Sequence, residues 1–297
     1  MSKSPYILAI DQGTSSTRAA LIDKIGIIVD QESVEFKQIY PADGWVEHDP
    51  LEIMQTVKST IITIFERNKI IQNDILSCGI TNQRETIVAW DKVTGNPLYN
   101  AIVWQDRRTQ NICQDLIDKD YTNLIQEKTG LIIDPYFSAS KIQWLLENIK
   151  DQNNLIVGTI DTWIIWNLTN KTKHLTDITN ASRTMLYNIT DEAWDHEILD
   201  LFKISESILP TVQPNKDDFG TIHSDHFGIE IPIGGVIGDQ QSASLGQLCV
   251  KKGMIKATYG TGCFVLMNTD DNKTKSKNKL LTTIASKVDG KKQYAVE

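Results

Sequence analysis

Cysteine is scarce in this chain and carries no metal or redox spacing. Cys78, Cys113, Cys249 and Cys263 lie far apart, and none belongs to a CxxC pair. Patterned cysteines are the sequence mark of disulfide frameworks and zinc sites, so both are excluded, and all four read as reduced residues among apolar neighbours. Histidine is as sparse: His48, His174, His196, His223 and His226 form no motif. Without a nucleophile elbow beside them, Ser-His-Asp hydrolysis drops out. Long apolar runs are also missing. The stretch 161–168 is short and carries polar residues, far below the roughly 20 needed to span a bilayer. Met1-Ser2-Lys3-Ser4-Pro5 leads straight into an apolar segment with no secretory pattern, so a cytoplasmic location is expected. The net charge is −8, and the one Lys-rich run, 273–279, reads as a solvated loop. No nucleic-acid partner is expected from it, because such binders present a coherent basic face.

What remains is an ordinary globular composition, 40% hydrophobic and 23% charged over 297 residues. That length favours two lobes over one core. Strand patterns fall at 5–11, 16–23, 26–36, 74–80, 85–91 and 99–104, and later at 235–238, 255–268, 280–284 and 293–296. Pro50 opens a helix to about Asn68, with Ile53, Met54, Val57, Ile61, Ile64 and Phe65 on helical spacing. Further helices are predicted at 106–119, 121–128, 138–148, 160–168, 196–202 and 240–248. Strands alternating with helices predict an α/β fold. The pattern stops within a sheet, so the second lobe is expected to be incomplete and residues 255–297 loosely packed.

One local device occurs twice. Ala9-Ile10 runs into Asp11-Gln-Gly-Thr-Ser-Ser-Thr-Arg18, and Thr258-Tyr259 runs into Gly260-Thr-Gly-Cys263. Each is an apolar strand, a tight turn of Gly and hydroxyl residues, and a second strand. Such turns gather backbone N–H groups and hydroxyls around one point, which suits phosphate oxygens, although many are plain hairpins. In the first, Asp11 is suited to Mg²⁺ through water and Arg18 to phosphate. Three more polar clusters sit where strands end. Thr81-Asn-Gln-Arg-Glu-Thr86 places Arg84 beside Glu85, which on a regular strand would face opposite sides. It is therefore either a charged turn or, given a bend, a ligand-binding pair. In Asp134-Pro-Tyr136 the phenol is either packed or turned to a ligand. In Gly238-Asp-Gln-Gln241, Asp239 is either a helix cap or a general base.

Together these segments resemble the glycerol kinases of the FGGY carbohydrate-kinase family, whose fold is shared with actin and hexokinase. The likeness runs through residues 9–18, 44–50, 79–86, 99–105, 134–138, 179–185, 238–241 and 259–264. It implies a ribonuclease-H-like, actin-like ATPase lobe with a mixed sheet flanked by helices, at 1–250, and the start of a similar second lobe at 251–297. It implies transfer of the ATP γ-phosphoryl group to glycerol, with ATP, Mg²⁺ and glycerol as partners and a homo-oligomer in the full-length form. Arg84, Glu85, Tyr136, Asp239 and Gln240 would bind glycerol hydroxyls, Trp104 and Phe264 its carbons, and Asp239 would be the base. Thr14, Ser15, Ser16, Arg18, Gly260 and Thr261 would meet the ATP phosphates, with Asp11 on the metal. Family members are longer and carry their adenine pocket beyond this sequence, so an inactive truncated or split-gene fragment is the competing expectation, with another sugar kinase of the family as the third. Glu230 stands where regulated members place an Arg, so a fructose 1,6-bisphosphate site is not expected.

Overall fold

The computed structural model describes residues 5–260, 262–278 and 280–297. Strands β1 (Tyr6–Gln12), β2 (Ser16–Ile22), β3 (Ile28–Glu35) and β4 (Glu47–His48) lead into helix α1 (Pro50–Asn68). Next come β5 (Ile75–Asn82), β6 (Ile87–Asp91) and β7 (Ala101–Ile102), then helices α2 (Gln110–Asp118), α3 (Thr122–Thr129) and α4 (Ser138–Asn148). Strand β8 (Leu155–Thr159), α5 (Ile160–Leu168), β9 (Leu175–Asp177), α6 (Ile178–Ala181), β10 (Tyr187–Asn188), β11 (Ala193–Trp194) and α7 (His196–Phe202) follow. The chain continues through β12 (Thr211–Gln213), β13 (Thr221–Ile222), α8 (Ser224–Phe227), β14 (Ile231–Gly238) and α9 (Asp239–Gly246). It closes with β15 (Ile255–Tyr259), β16 (Cys263–Asp270), β17 (Thr282–Val288) and β18 (Lys291–Val296).

The main sheet has six strands in the order β13-β14-β5-β1-β2-β3, with β14, β5 and β1 parallel and the rest antiparallel. This is the expected mixed sheet. Helix α1 begins where expected because Asp49 accepts from Leu51 N–H at 2.8 Å and Pro50 has no N–H that needs an acceptor. It ends at Lys69, which turns left-handed at φ 51°. Its buried Ile53, Val57, Ile61 and Ile64 join Leu8, Ile10 and Leu21 of the sheet and Trp163 and Ile164 of α5 in one core. Burying each such side chain is worth about 1.5–3 kcal/mol.

A four-stranded sheet, β4-β7-β6-β8, organises a second core with Phe137, Ile142, Leu145, Ile198 and Phe202. Strand β8 was not expected, because its apolar run merges with that of α5. The four-stranded sheet β15-β16-β18-β17 completes the fold. Its packing differs from the loose ending expected of 255–297. Ile284 and Tyr294 enter the second core, and Thr282 N–H donates to Gly130 carbonyl at 2.8 Å. The β15–β16 hairpin keeps apolar residues in water, with Ile255, Tyr259 and Val265 at least half exposed, and Leu280 ahead of β17 is nearly so. The cysteines also divide. Cys78 and Cys113 are buried as expected, but Cys249 is half-buried and Cys263 exposed on that hairpin.

Candidate functional site

The parallel strands bring three of the polar clusters to one place. Gln12 of β1, Asn82 of β5 and Gly238 of β14 lie in register at their carboxyl ends, where open α/β sheets form binding crevices. Directly beyond them come the turn at 13–15, the Arg84–Glu85 pair and Asp239. The bend required of Arg84 and Glu85 is present. Glu85 has φ 62°, and Thr86 N–H closes back on the Arg84 carbonyl at 2.7 Å. A non-glycine residue in this conformation stores strain and is held only by over-determined surroundings. Ser138 supplies one restraint, its hydroxyl donating to the Glu85 carbonyl at 3.0 Å. Gly238 is needed for a different reason: a Cβ there would stand 2.9 Å from Arg84 Cγ and Cδ.

A cavity of about 160 Å³ opens at this point, lined by Thr14, Ser15, Arg84, Glu85, Trp104, Tyr136, Asp239, Gln240, Thr258, Gly260, Gly262 and Phe264. It is well under the roughly 300–1,000 Å³ of drug-sized pockets. Its apolar side is a row of rings. Trp104 stands edge-on to Tyr136 at 5.7 Å and to Phe264 at 6.0 Å. Its polar side is charged and almost dry. Arg84 donates to both oxygens of Glu297, at 2.5 and 3.1 Å, to Gln241 Oε1 at 3.1 Å and to the Tyr136 hydroxyl at 3.4 Å. Its Nε stands 3.4 Å from Asp239 Oδ1. Asp239 is the wettest of the group, with a side chain 30% exposed. Burial lifts its carboxyl above the usual range, and Arg84 pulls it back. Asp239 opens α9, but the capping position is Gly238 and no side chain caps the helix. The carboxylate instead accepts from Gln240 N–H at 2.6 Å, so the helix-cap role is not the one it fills.

Two hairpins flank the cavity, as the repeated device predicted: β1 with β2 and β15 with β16. The first turn is held from three sides. Gln83 Nε2 donates to the Gly13 carbonyl at 3.0 Å, Gln38 Nε2 to the Thr14 carbonyl at 3.0 Å, and Trp104 Nε1 to Thr14 Oγ1 at 2.9 Å. Indole only donates, so Thr14 receives that bond and keeps its own proton. Behind Gln38 lies His48, 2.7 Å away and wholly buried, its pKa pulled down to about 4 by desolvation. On the other wall Lys141 is buried, with its ammonium held by the carbonyls of Pro135, Tyr136 and Phe137 at 2.5, 2.7 and 3.1 Å. Burial lowers its pKa to about 8.

The structure thus gathers Thr14, Ser15, Arg84, Glu85, Trp104, Tyr136, Asp239, Gln240, Gly260 and Phe264 around one cavity. Asp11, Ser16 and Arg18 lie on the first hairpin without lining it. Asp11 and Arg18 are cross-strand partners; burial raises the Asp11 carboxyl and Arg18 opposes the shift. Thr261 lies outside the described residues. Sequence reasoning missed Thr258 and Gly262 on the lining, and Gln241, Lys256, Arg183 and Glu297 behind it. Lys256 is buried on β15 and donates to Gln240 Oε1 at 2.6 Å. Because Lys has no acceptor, this fixes the amide of Gln240.

No group of three or more His, Cys, Asp or Glu side chains among the described residues could hold a metal alone. A magnesium ion would therefore take most of its ligands from water and phosphate, the usual arrangement when one carboxylate serves it. Asp11, single and beside the first turn, fits that role. No helix among the described residues is long and apolar enough to cross a membrane.

Three comparisons bear on this site. The FGGY family of carbohydrate kinases, N-terminal domain, matches residues 6–246. Among curated proteins, glycerol kinase 1 of Clostridium tetani is 52% identical over 298 residues, covering 98% of this chain and 60% of the relative. Glycerol kinase 2 of Thermotoga maritima is 51% identical with the same coverage. Among solved structures, Plasmodium falciparum glycerol kinase with ADP superposes with a TM-score of 0.94 at 41% identity, over 99% of this chain and 60% of that one. A gluconate kinase from Lactobacillus acidophilus shares the fold at a TM-score of 0.88 and 24% identity. The chain spans about 60% of the length of the relatives it matches. The actin- and hexokinase-like architecture expected from the sequence is the one observed.

Proposed function

The chain belongs to the FGGY family of carbohydrate kinases, and we propose that it carries the glycerol side of a glycerol kinase. The proposed reaction moves the γ-phosphoryl group of ATP to a terminal hydroxyl of glycerol, giving sn-glycerol 3-phosphate. The observation that supports it best is the lining of the cavity. Arg84, Glu85, Tyr136, Asp239 and Gln240 offer donors and acceptors on one side, and Trp104 and Phe264 offer ring faces on the other. A polyol has hydroxyls on every carbon and little apolar surface, so it must be recognised by several satisfied polar contacts with a thin apolar wall.

In this reading Asp239 accepts the proton of the attacking hydroxyl. Its partly wet carboxylate is pushed by burial toward greater basicity, as a general base near neutral pH requires. Arg84 and Tyr136 donate to hydroxyl oxygens, Glu85 accepts, and the rings seat the carbon chain. Thr14, Ser15 and Ser16 with Arg18 meet the nucleotide phosphates from the first hairpin, and Gly260 and Thr261 from the second. Magnesium held through Asp11 supplies neutralisation of phosphate charge when bound. Phosphoryl transfer rests chiefly on such positioning and charge. We further assign 1–250 to the N-terminal kinase domain and 251–297 to the beginning of the C-terminal one. A cytoplasmic location is supported by the use of ATP, and a homo-oligomer in the full-length form by the family resemblance.

The test is substrate choice. Nuclear magnetic resonance titration of this chain with glycerol, D-xylulose and D-gluconate should show saturable binding of glycerol alone. In the full-length context, a coupled ATP assay should rank them the same way. Preference for either sugar substrate rejects the glycerol assignment while leaving the family intact.

A further inference from the structure

Behind the cavity four side chains close a ring of alternating charge. Arg84 grips Glu297 with both terminal nitrogens, at 2.5 and 3.1 Å. Glu297 Oε2 stands 2.8 Å from Arg183 Nη1, and Arg183 Nε donates to Glu85 Oε1 at 2.6 Å. The Glu85 oxygen returns to Arg84 Nε at 3.8 Å. All four side chains are buried, none more than 6% exposed. Two positive and two negative charges cancel. Arg183 also lies against the rings of Tyr136 and Phe137, at 5.4 and 5.2 Å. Its terminal nitrogens make no directed hydrogen bond among the described residues, so its hold on Glu297 is electrostatic.

Stability alone gives no reason for this ring, since well-packed apolar residues usually serve as well or better in place of buried ion pairs. Its position gives one. Arg84 and Glu85 line the cavity; Arg183 and Glu297 do not. Glu297 occupies the terminal nitrogens of Arg84, and leaves its Nε–H to the cavity side, where its nearest carboxylate oxygen is Asp239 Oδ1 at 3.4 Å. Arg183 occupies one oxygen of Glu85 and leaves Oε2 without a hydrogen bond among the described residues. The result is a held donor, Arg84 Nε–H, and a held acceptor, Glu85 Oε2, on consecutive residues of the cavity wall, a pairing that suits two neighbouring hydroxyl groups. Resting on the glycerol reading, we propose that Arg183 and Glu297 are positioning residues that make the cavity selective for a vicinal diol by holding Arg84 and Glu85 in this donor–acceptor register.

The experiment compares glycerol with propane-1,3-diol, which lacks the middle hydroxyl, by nuclear magnetic resonance titration of the 297-residue chain. The variant is Glu297→Gln, which keeps size and loses charge. A thermal melt verifies folding. Wild type should prefer glycerol, and in the variant glycerol should weaken at least tenfold while propane-1,3-diol changes little, so the preference collapses. A merely structural loosening would weaken both and leave their ratio. A folded variant that keeps the wild-type ratio overturns the positioning role and leaves the glycerol reading standing. Wild type that binds no glycerol overturns that reading and this inference with it. If Glu297→Gln does not fold, the neutral double variant Glu297→Gln/Arg183→Met is read in the same way. Failure of both to fold would make the ring scaffold for the fold and would likewise reject the positioning role.

Discussion

Replacing Arg84 by Met should cost this protein a large, pH-dependent share of its stability. Methionine fills much of the arginine's volume, so the main change is charge. The ring then holds two carboxylates against one guanidinium, with Glu297 only 6% exposed. Removing one partner of a buried pair costs roughly 3–5 kcal/mol. The carboxylate itself gives a second route. Burial opposes ionisation of Glu297, but Arg183 and Arg84 outweigh it and carry its pKa from 4.5 down to about 2. At about 1.4 kcal/mol for each tenfold, that depression is worth roughly 3 kcal/mol to the fold, and Arg84 supplies part of it while Arg183 keeps the rest. A carboxyl whose folded pKa is depressed stabilises fully above its unfolded value and loses that contribution as pH falls through the folded one. Most of the difference between wild type and Arg84→Met should therefore be present at pH 7 and less than half of it at pH 3. With about 2–4 °C lost per kcal/mol in chains of this order of size, the pH 7 gap in Tm should be roughly 6–12 °C. Differential scanning calorimetry at both pH values measures it. A gap under about 2 °C, or one of equal size at pH 3 and pH 7, would refute the charge argument.

Other expectations follow from the same geometry. In the full-length context, Asp239→Asn should leave glycerol affinity within a few-fold and cut turnover by roughly 10² or more, so a near-normal kcat ends the general-base role. Trp104→Phe keeps a ring but loses the bond to Thr14; both glycerol and nucleotide constants should weaken, whereas an effect on glycerol alone would show that the indole N–H does not hold the phosphate turn. His48 should stay neutral in proton–nitrogen correlation spectra until the pH approaches about 4. Its folded pKa lies below the unfolded 6.5, so its contribution to stability is complete above pH 6.5 and is lost between there and about 4; a titration near 6.5 would contradict its burial. Fructose 1,6-bisphosphate should not inhibit the full-length form, because Glu230 repels phosphate, and an inhibition curve abolished by changing 225–230 would show otherwise.

Much of the architecture was legible because its signals are local. The two hairpins, α1 with its Asp49-Pro50 start, and the polar residues at strand ends each follow from a few neighbouring side chains. The candidate site was legible wherever those strand ends carried the chemistry, as at Arg84, Glu85 and Asp239. The alternation rule pointed correctly at the need for a bend beside Glu85, but only the backbone shows that a glutamate adopts φ 62° to make it. Arg183 and Glu297 were missed because their partners are 98 and 213 residues away in sequence, on Glu85 and Arg84. Nothing in their own neighbourhoods marks them as buried. Lys141 and Lys256 escaped for the converse reason: a lysine on a helix or strand reads as solvated until packing closes over it.

The grip of Lys141 on three successive carbonyls has a kinetic consequence. Segments that order only when a ligand arrives charge their lost freedom against affinity, at about 0.5–1.5 kcal/mol per immobilised side chain. The turn 135–137 is already tied to an internal cation, so Tyr136 reaches the cavity with its backbone settled. Entry of a small polyol therefore has no loop to wait for on this wall. Its association should be limited by diffusion and by displacement of water, and selectivity should be expressed in how slowly the right molecule leaves.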